Sequence, residues 1–261
     1  MNKLRILGLA FIVLFSSSVF AKEVSAYFTG ELRDETTVTK ILNGAGFEVL
    51  ASYSLDRKGK MKTIIFTSNE QKRLSSDKTR GFYAIGRVFI NQKDEKILVA
   101  NPNYFGHAFL QDDYSKDVHN VTDKLLSAFG DLVADENKLD SDDLEDYHFM
   151  FGMPYYEDMI TIAEGKNLEA KIEDAIFTLK IGNATLIGVD LKKRTKKFVK
   201  KVGSNNGTLL PYTILIENGE AKILDPKYYL AISYPNLSMG EFTRIATVPD
   251  AIEKEITKLF K

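Results

Sequence analysis

Alternating and helix-spaced apolar residues succeed one another along this chain in an order that occurs twice. In the first copy, two strand-like segments and a proline break follow one another at residues 88–90, 96–98 and 101–105. In the second copy, the same three landmarks are residues 214–216, 222–224 and 225–229. Each copy then ends in an amphipathic helix with matching apolar spacing, which comprises Val121, Leu125, Ala128 and Phe129 in the first copy and Ile252, Ile256, Leu259 and Phe260 in the second.

The remaining pattern of the first copy predicts strands and short helices. Alternation predicts strands over residues 24–32 and 47–53, and the continuous apolar run 61–67 predicts a central strand. Val38, Ile41 and Leu42 predict a short helix between the first two strands. A polar helix or loop is expected over residues 69–76, and a hairpin over residues 82–100.

The second copy predicts a similar series, with a strand over residues 155–164 and another over residues 185–191. A helical face between those strands comprises Leu168, Ile172, Ala175, Ile176 and Leu179. A lysine-rich helix is expected over residues 192–201, and Asn218-Gly219 is a strong hairpin signal. In the alignment of the copies, the positions Gly46, Leu50 and Leu55 match Gly182, Leu186 and Leu191.

Together these elements predict an α+β fold of two similar domains, each a small, mostly antiparallel sheet with helices packed on it, produced by an internal duplication. An acidic stretch over residues 131–146 indicates the linker, so the domains are expected at residues 22–140 and 141–261. Residues 1–21 have a charged start, a short apolar run and small residues before Ala21. This is the pattern of an export signal cleaved after Ala21, and it predicts a periplasmic or secreted protein that is not integral to the membrane.

The amino-acid composition excludes several kinds of site and partner. The chain contains no cysteine, which excludes disulfides, thiol catalysis and cysteine-ligated metals. Removing Lys3 and Arg5 with the signal changes the formal charge from −1 to −3, which gives no electrostatic argument for a nucleic-acid partner.

Short motifs in each half resemble the bacterial and archaeal domain of unknown function 302 family. Gly46-Phe47 matches the end of that family's early helix, and Leu210-Pro211 with Asn218-Gly219 matches its hairpin. The first copy departs from the pattern, because Ala84-Ile85 replaces the Leu-Pro pair. The resemblance implies a compact α+β fold with helices against a sheet, and it implies no reaction.

Two groups of residues are candidates for chemistry. His148, Met150 and Met153 supply the soft ligands that hold copper in oxidising compartments, although their alternation with Phe149 and Phe151 equally suits a strand of the core. His107, with Asp112 or Asp113 nearby, could serve a hydrolase, although the same histidine also suits a surface position.

The preferred function is that of a non-enzymatic binding or interaction protein of the cell envelope. Its partner would be a protein or a small molecule held between the two copies, and no cofactor is expected. The basic residues of the segment 192–201 favour a solvated helix face over an anion site or membrane site. The hydrolase and the copper-binding protein are the alternatives.

Overall fold

The computed structural model describes residues 22–261, without the side chains of residues 200, 202, 204 and 206. The predicted export signal and its cleavage site after Ala21 lie outside the described residues. Within residues 22–261, every helix is too short or too polar to cross a lipid bilayer.

The first half alternates strands with helices and ends in a short strand that pairs with its first one. In chain order it contains β1 (Glu23–Ser25), β2 (Tyr27–Glu31), α1 (Glu35–Gly44), β3 (Glu48–Ser54), β4 (Met61–Thr67), α2 (Asn69–Leu74), β5 (Gly86–Asn91), β6 (Lys96–Ala100), α3 (Pro102–Leu110), α4 (Asp117–Phe129), β7 (Val133–Ala134) and β8 (Lys138–Asp140).

The second half has five strands followed by helices. It contains β9 (Ile160–Glu164), β10 (Ala175–Ile181), β11 (Ala184–Val189), α5 (Phe198–Val202), β12 (Tyr212–Glu217), β13 (Glu220–Ile223), α6 (Pro226–Ser233), α7 (Met239–Arg244) and α8 (Val248–Thr257). The predicted α+β class is confirmed.

Each half has its own antiparallel sheet, and the two sheets share one strand order. The order is β3-β4-β5-β6-β2 in the first half, with β7 added beside β2, and β10-β11-β12-β13-β9 in the second. Counted over the five equivalent strands of each half, which begin with β2 and β9, both sheets place the second to fifth strands side by side and add the first strand beside the fifth. A duplication would produce this equivalence, and the duplication itself stays a proposal.

The sheets correct two expectations for the second half. Leu168 to Leu179 do not form a helix: a 3-10 turn over Leu168–Lys171 leads into strand β10. Along β10 the side chains of Phe177, Leu179 and Ile181 are buried and the intervening ones are exposed, which is the two-residue period of a strand. The sequence alignment pairs residues 46–55, which contain β3, with residues 182–191, which contain β11. The strand order pairs β3 with β10 instead, so the alignment is wrong by one strand.

Local signals explain the helices α3 and α6, which begin at the predicted proline breaks, and the predicted turn at Asn218-Gly219. Asn101 and Asp225 cap α3 and α6, because their side chains accept hydrogen bonds from the backbone N–H groups of Asn103 (3.0 Å) and Lys227 (2.7 Å). Each of these helices also has a proline in its first turn. A backbone N–H at that position has no acceptor within the helix, so the missing N–H of proline costs no hydrogen bond. Asn218 and Gly219 both have positive φ, as the tight turn between β12 and β13 requires.

The two halves contact each other through reciprocal hydrogen bonds. The hydroxyl of Tyr104 in α3 donates to the carbonyl oxygen of Ile232 in α6 at 2.7 Å. The hydroxyl of Tyr228 in α6 donates to the carbonyl oxygen of Ala108 in α3 at 3.3 Å. The aligned proline breaks match Tyr104 with Tyr228 and Ala108 with Ile232, so each half makes the same bond to the other.

Two glycines repeat this reciprocity between the 3-10 turns Arg80–Ala84 and Ser204–Leu209. A Cβ on Gly81 would lie 2.4 Å from Cδ1 of Leu215 in the other half. A Cβ on Gly207 would lie 2.6 Å from Cζ of Phe89, the residue that the repeat matches with Leu215. One hydrophobic core contains residues of both halves, whereas a second core lies between the first sheet and helices α1 and α4. The halves therefore stabilise each other.

We expect Tyr104→Phe and Tyr228→Phe each to lower the free energy of unfolding by about 0.5–1.5 kcal/mol, because each removes a buried hydrogen bond between the halves. The matched control is Tyr155→Phe, since Tyr155 is 42% exposed. Urea unfolding at neutral pH measures the three changes. Equal stability of all three variants would contradict the reciprocal bonding.

Candidate functional site

A narrow cavity lies where α3 and the first sheet meet the second half. It leaves about 30 Å³ for the centres of water-sized molecules, which is room for about two waters or a ligand of a few non-hydrogen atoms. We call it the central cavity. Its lining comprises Tyr27, Gln71, Phe82, Tyr83, Ile85, Gly86, Arg87, Ala100, Asn101, Pro102, Phe105 and Phe109 of the first half, and Thr208, Tyr229 and Ser233 of the second.

Four polar atoms of the cavity lining are buried without a hydrogen-bond partner among the described residues. They are Oε1 of Gln71, the hydroxyl oxygen of Tyr83, Nε of Arg87 and Oγ of Ser233. All four side chains are more than nine-tenths buried. Because buried polar groups are normally paired, this concentration in one cavity distinguishes it from ordinary core.

Among the described residues that line the cavity, Arg87 supplies the only charge. It lies on β5, is 8% exposed, and donates through Nη2 to the carbonyl oxygen of Pro211 at 3.2 Å. Its guanidinium carbon lies 6.0 Å from the centre of the Tyr229 ring. The ion pairs found among residues 22–261 do not include Arg87. A buried cation without a carboxylate partner is energetically unfavourable, so this side chain favours an anion in the cavity.

Gln71 and Tyr83 complete the polar wall on the first half. The side-chain amide of Gln71 donates to the carbonyl oxygen of Tyr83 at 3.4 Å, which leaves Oε1 as a free acceptor. Burial raises the pKa of the Tyr83 hydroxyl far above its usual value, so the phenol stays protonated at neutral pH and can donate. The wall therefore offers two donors, from Arg87 and Tyr83, and one acceptor.

A network of hydroxyl groups closes the cavity on the second half. The hydroxyl of Thr208 donates to that of Tyr27 at 3.1 Å and is also bonded to that of Tyr234. Burial raises the pKa of Tyr27 to about 12, although contacts with Thr208, Tyr234 and Ser233 partly offset the rise. These groups are neutral at physiological pH, so they add no charge that would compensate Arg87.

A second, wider depression also lies between the halves. It offers about 560 Å³ for water-sized molecules between residues 54–61 and residues 190–210. Five basic residues line it, Arg57, Lys192, Lys193, Lys196 and Lys197, against the carboxylates of Asp56 and Asp190. We call it the basic groove.

The lysine-rich segment beside this groove is less helical than predicted. It contains a 3-10 turn, Thr195–Lys197, before the short helix α5. Lys196 is already paired with Asp190 at 2.9 Å.

His107 lies on α3 and stacks on Tyr114, with ring centres 3.7 Å apart. Burial lowers the pKa of His107, the nearby His119 lowers it further, and Asp142 opposes these effects. Asp113 is exposed and forms an ion pair with Arg80 at 2.7 Å.

Asp112 is exposed as well, and its hydrogen bond raises the pKa of Glu145. His107 is not among the residues that line the central cavity. The structure thus joins His107 to aromatic rings, and the hydrolase hypothesis stays a prediction.

His148, Met150 and Met153 lie in an irregular segment before β9, so the strand that their alternation suggested is not formed. The backbone N–H of Met153 donates to the carbonyl oxygen of Met150 at 2.9 Å, which brings the two methionines across one turn. His148 packs against Tyr155, with ring centres 4.4 Å apart. Phe151 is 98% exposed, so the segment is not core either. The copper site stays a prediction.

Sequence reasoning missed the residues of the central cavity. One signal was visible: Arg87 is a charged residue inside a strand whose residues are all buried. Gln71 and Tyr83 gave no signal, because only the tertiary fold brings α2 and the 3-10 turn to the same wall.

Comparison of the chain with family models, curated proteins and solved structures gave no match.

Proposed function

We propose that this chain is an exported, non-enzymatic binding protein of the cell envelope, built from two duplicated domains that resemble the domain of unknown function 302 family. Its ligand is a small polar molecule held in the central cavity between the two halves. Export rests on the signal-like residues 1–21, and duplication is supported by the shared strand order.

The observation that carries the proposal is the set of unpartnered polar atoms in one cavity. An apolar filling would be cheaper in free energy than four buried groups without partners. A site that binds a polar ligand explains why the chain keeps them, because preformed binding sites combine apolar walls with a few polar groups. The apolar walls here come from Phe82, Phe105 and Phe109.

The test is binding of small molecules to the chain of residues 22–261. A panel of anionic, neutral and cationic compounds of up to about five non-hydrogen atoms matches the available space. Thermal unfolding detects binding through a raised midpoint. Ser233→Val removes a polar group and fills the cavity, so we expect it to abolish the shift.

The matched control is Ser54→Val, since Ser54 lies on exposed strand β3 and lines the basic groove. Its ligand response should equal that of the unmodified chain. Loss of binding in Ser54→Val alone would place the ligand in the groove and refute the cavity. An unshifted midpoint with every compound would refute the proposed function.

A further inference from the structure

The chemistry of the central cavity identifies the class of ligand more narrowly, and this step rests on the proposed function. We propose that the cavity binds a small planar oxyanion of the carboxylate class, such as formate, acetate or bicarbonate, with Arg87 as the recognising cation.

Charge comes first. Arg87 is buried, and among the described ion pairs no carboxylate of the chain compensates it. The aligned position in the second half is Thr213, so the cation belongs to one half and not to the repeated framework. Only Nη2 of this guanidinium is bonded to the other half, so Nε stays available for a ligand, and the planar array of donors matches a planar oxyanion.

The donor set agrees with the charge. Nε of Arg87 and the protonated hydroxyl of Tyr83 are donors without partners among the described residues, and both residues line the central cavity, where an oxyanion would supply acceptor oxygens. Oε1 of Gln71 is an acceptor without a partner. Bicarbonate carries two acceptor oxygens and one O–H donor, so it can satisfy all three atoms, whereas formate and acetate leave Gln71 unpaired.

The volume of the central cavity sets the upper limit on the size of the ligand. The space of about 30 Å³ for the centres of water-sized molecules limits a ligand to a few non-hydrogen atoms, which is the size class of formate, acetate and bicarbonate. Sulfate esters, nucleotides and sugars are too large for this space. The wider basic groove is the place where a larger anion would bind, and the experiment separates the two sites.

The experiment measures binding of sodium formate, acetate and bicarbonate to the chain of residues 22–261, with chloride as the ionic-strength control. Formamide and acetamide are the neutral compounds of matching shape. Titrations of ¹³C-labelled formate and bicarbonate followed by NMR give the affinities. We expect the anions to bind at least ~10-fold more tightly than the amides, because only they compensate the buried cation.

Variants assign the site. We expect Arg87→Gln to weaken anion binding at least ~10-fold, and Arg87→Lys to weaken it less, because lysine keeps the charge but not the planar donors. Gln71→Met should weaken bicarbonate and leave formate unchanged. The controls are Arg244→Gln, an exposed arginine, and Lys193→Gln in the basic groove, and neither should change the affinity.

A second measurement does not depend on a variant that folds. In the unmodified protein, the formate proton should show nuclear Overhauser effects to the ring protons of Phe105 and Phe109, which line the cavity. Contacts to lysine side chains alone would place the anion in the groove and overturn the inference.

The remaining outcomes are distinct. If amides bind in the cavity as tightly as anions, the proposed function stands and the anion inference fails. If neither class binds, the cavity holds only water, and both the inference and the proposed function fail.

Discussion

Above about pH 10 we expect the protein to unfold in one steep transition, because buried tyrosines can ionise only in the unfolded chain. Burial raises the pKa of eleven phenols among the described residues. Seven of these are the most deeply enclosed, and the pKa of one of the seven, Tyr27, rises to about 12. The others are Tyr104, Tyr156, Tyr212, Tyr228, Tyr229 and Tyr234, and burial is the first cause for each.

The direction follows from proton linkage. A folded-state pKa above the unfolded value means that the stabilisation is complete below the unfolded pKa of about 10 and is lost as the pH rises towards the folded values. Each such phenol lowers the free energy of unfolding by about 1.4 kcal/mol per pH unit in that range. Seven together lower it by roughly 8–10 kcal/mol per unit, which is comparable with the whole stability of a typical domain.

Two signals measured on the same samples check this prediction. Phenolate absorbance near 295 nm reports ionisation of the 12 tyrosines, and the chain has no tryptophan to interfere. Far-ultraviolet circular dichroism reports the fold. We expect both signals to change together about one unit above pH 10.

A comparison of two variants tests the cause. Tyr155→Phe removes an exposed phenol and should leave the midpoint pH unchanged. Tyr104→Phe should lower the free energy of unfolding at pH 7. It should also make that free energy fall less steeply above about pH 10, by the contribution of one ionising phenol. Phenols that all ionise near pH 10 while the circular dichroism stays constant would contradict the burial of the tyrosines.

Short-range signals were sufficient to predict much of this fold. The Asn218-Gly219 turn and the amphipathic closing helices depend on neighbouring residues, and both are found. The proline breaks at Asn101 and Asp225 are found as well, where each begins a helix that was not predicted. The helix predicted over Leu168 to Leu179 failed because its apolar residues satisfy two periods at once. The segment forms a strand because Phe177, Leu179 and Ile181 are buried in the sheet. The sheet is built from contacts between residues far apart in the sequence, which the local pattern does not contain.

The candidate site depended almost entirely on long-range contacts. Gln71, Tyr83 and Arg87 are distributed over a helix, a 3-10 turn and a strand, and Ser233 follows about 150 residues later. Residue type marked histidines and methionines as candidates, because their chemistry is visible in any sequence. A polar group becomes a site when the fold buries it without a partner, and a single sequence does not contain that information.

Phe89→Ala should lower the free energy of unfolding by about 3–5 kcal/mol, because Phe89 is fully buried in the core that both halves share. Its ring lies against Gly207 of the other half, where a Cβ would approach Cζ to 2.6 Å and Cδ2 of Leu55 to 2.5 Å. Gly207→Ala alone should therefore cost about 1–3 kcal/mol by overpacking.

The double variant tests whether these two residues hold the halves together. Without the Phe89 ring, the new methyl group of Gly207→Ala enters space that the ring has left. We expect the double variant to be more stable than the sum of the single effects by at least about 1 kcal/mol. Gly44→Ala is the control, since no atom lies within 4 Å of its Cβ position, and it should be neutral or slightly stabilising.

Urea unfolding with a constant m-value would show that stability has changed and the unfolded state has not. Additive effects within about 0.5 kcal/mol would mean that Phe89 and Gly207 do not touch in solution. A clear coupling would instead show that the two halves pack against each other at Phe89 and Gly207, in the same arrangement that places Arg87 6.0 Å from the centre of the Tyr229 ring.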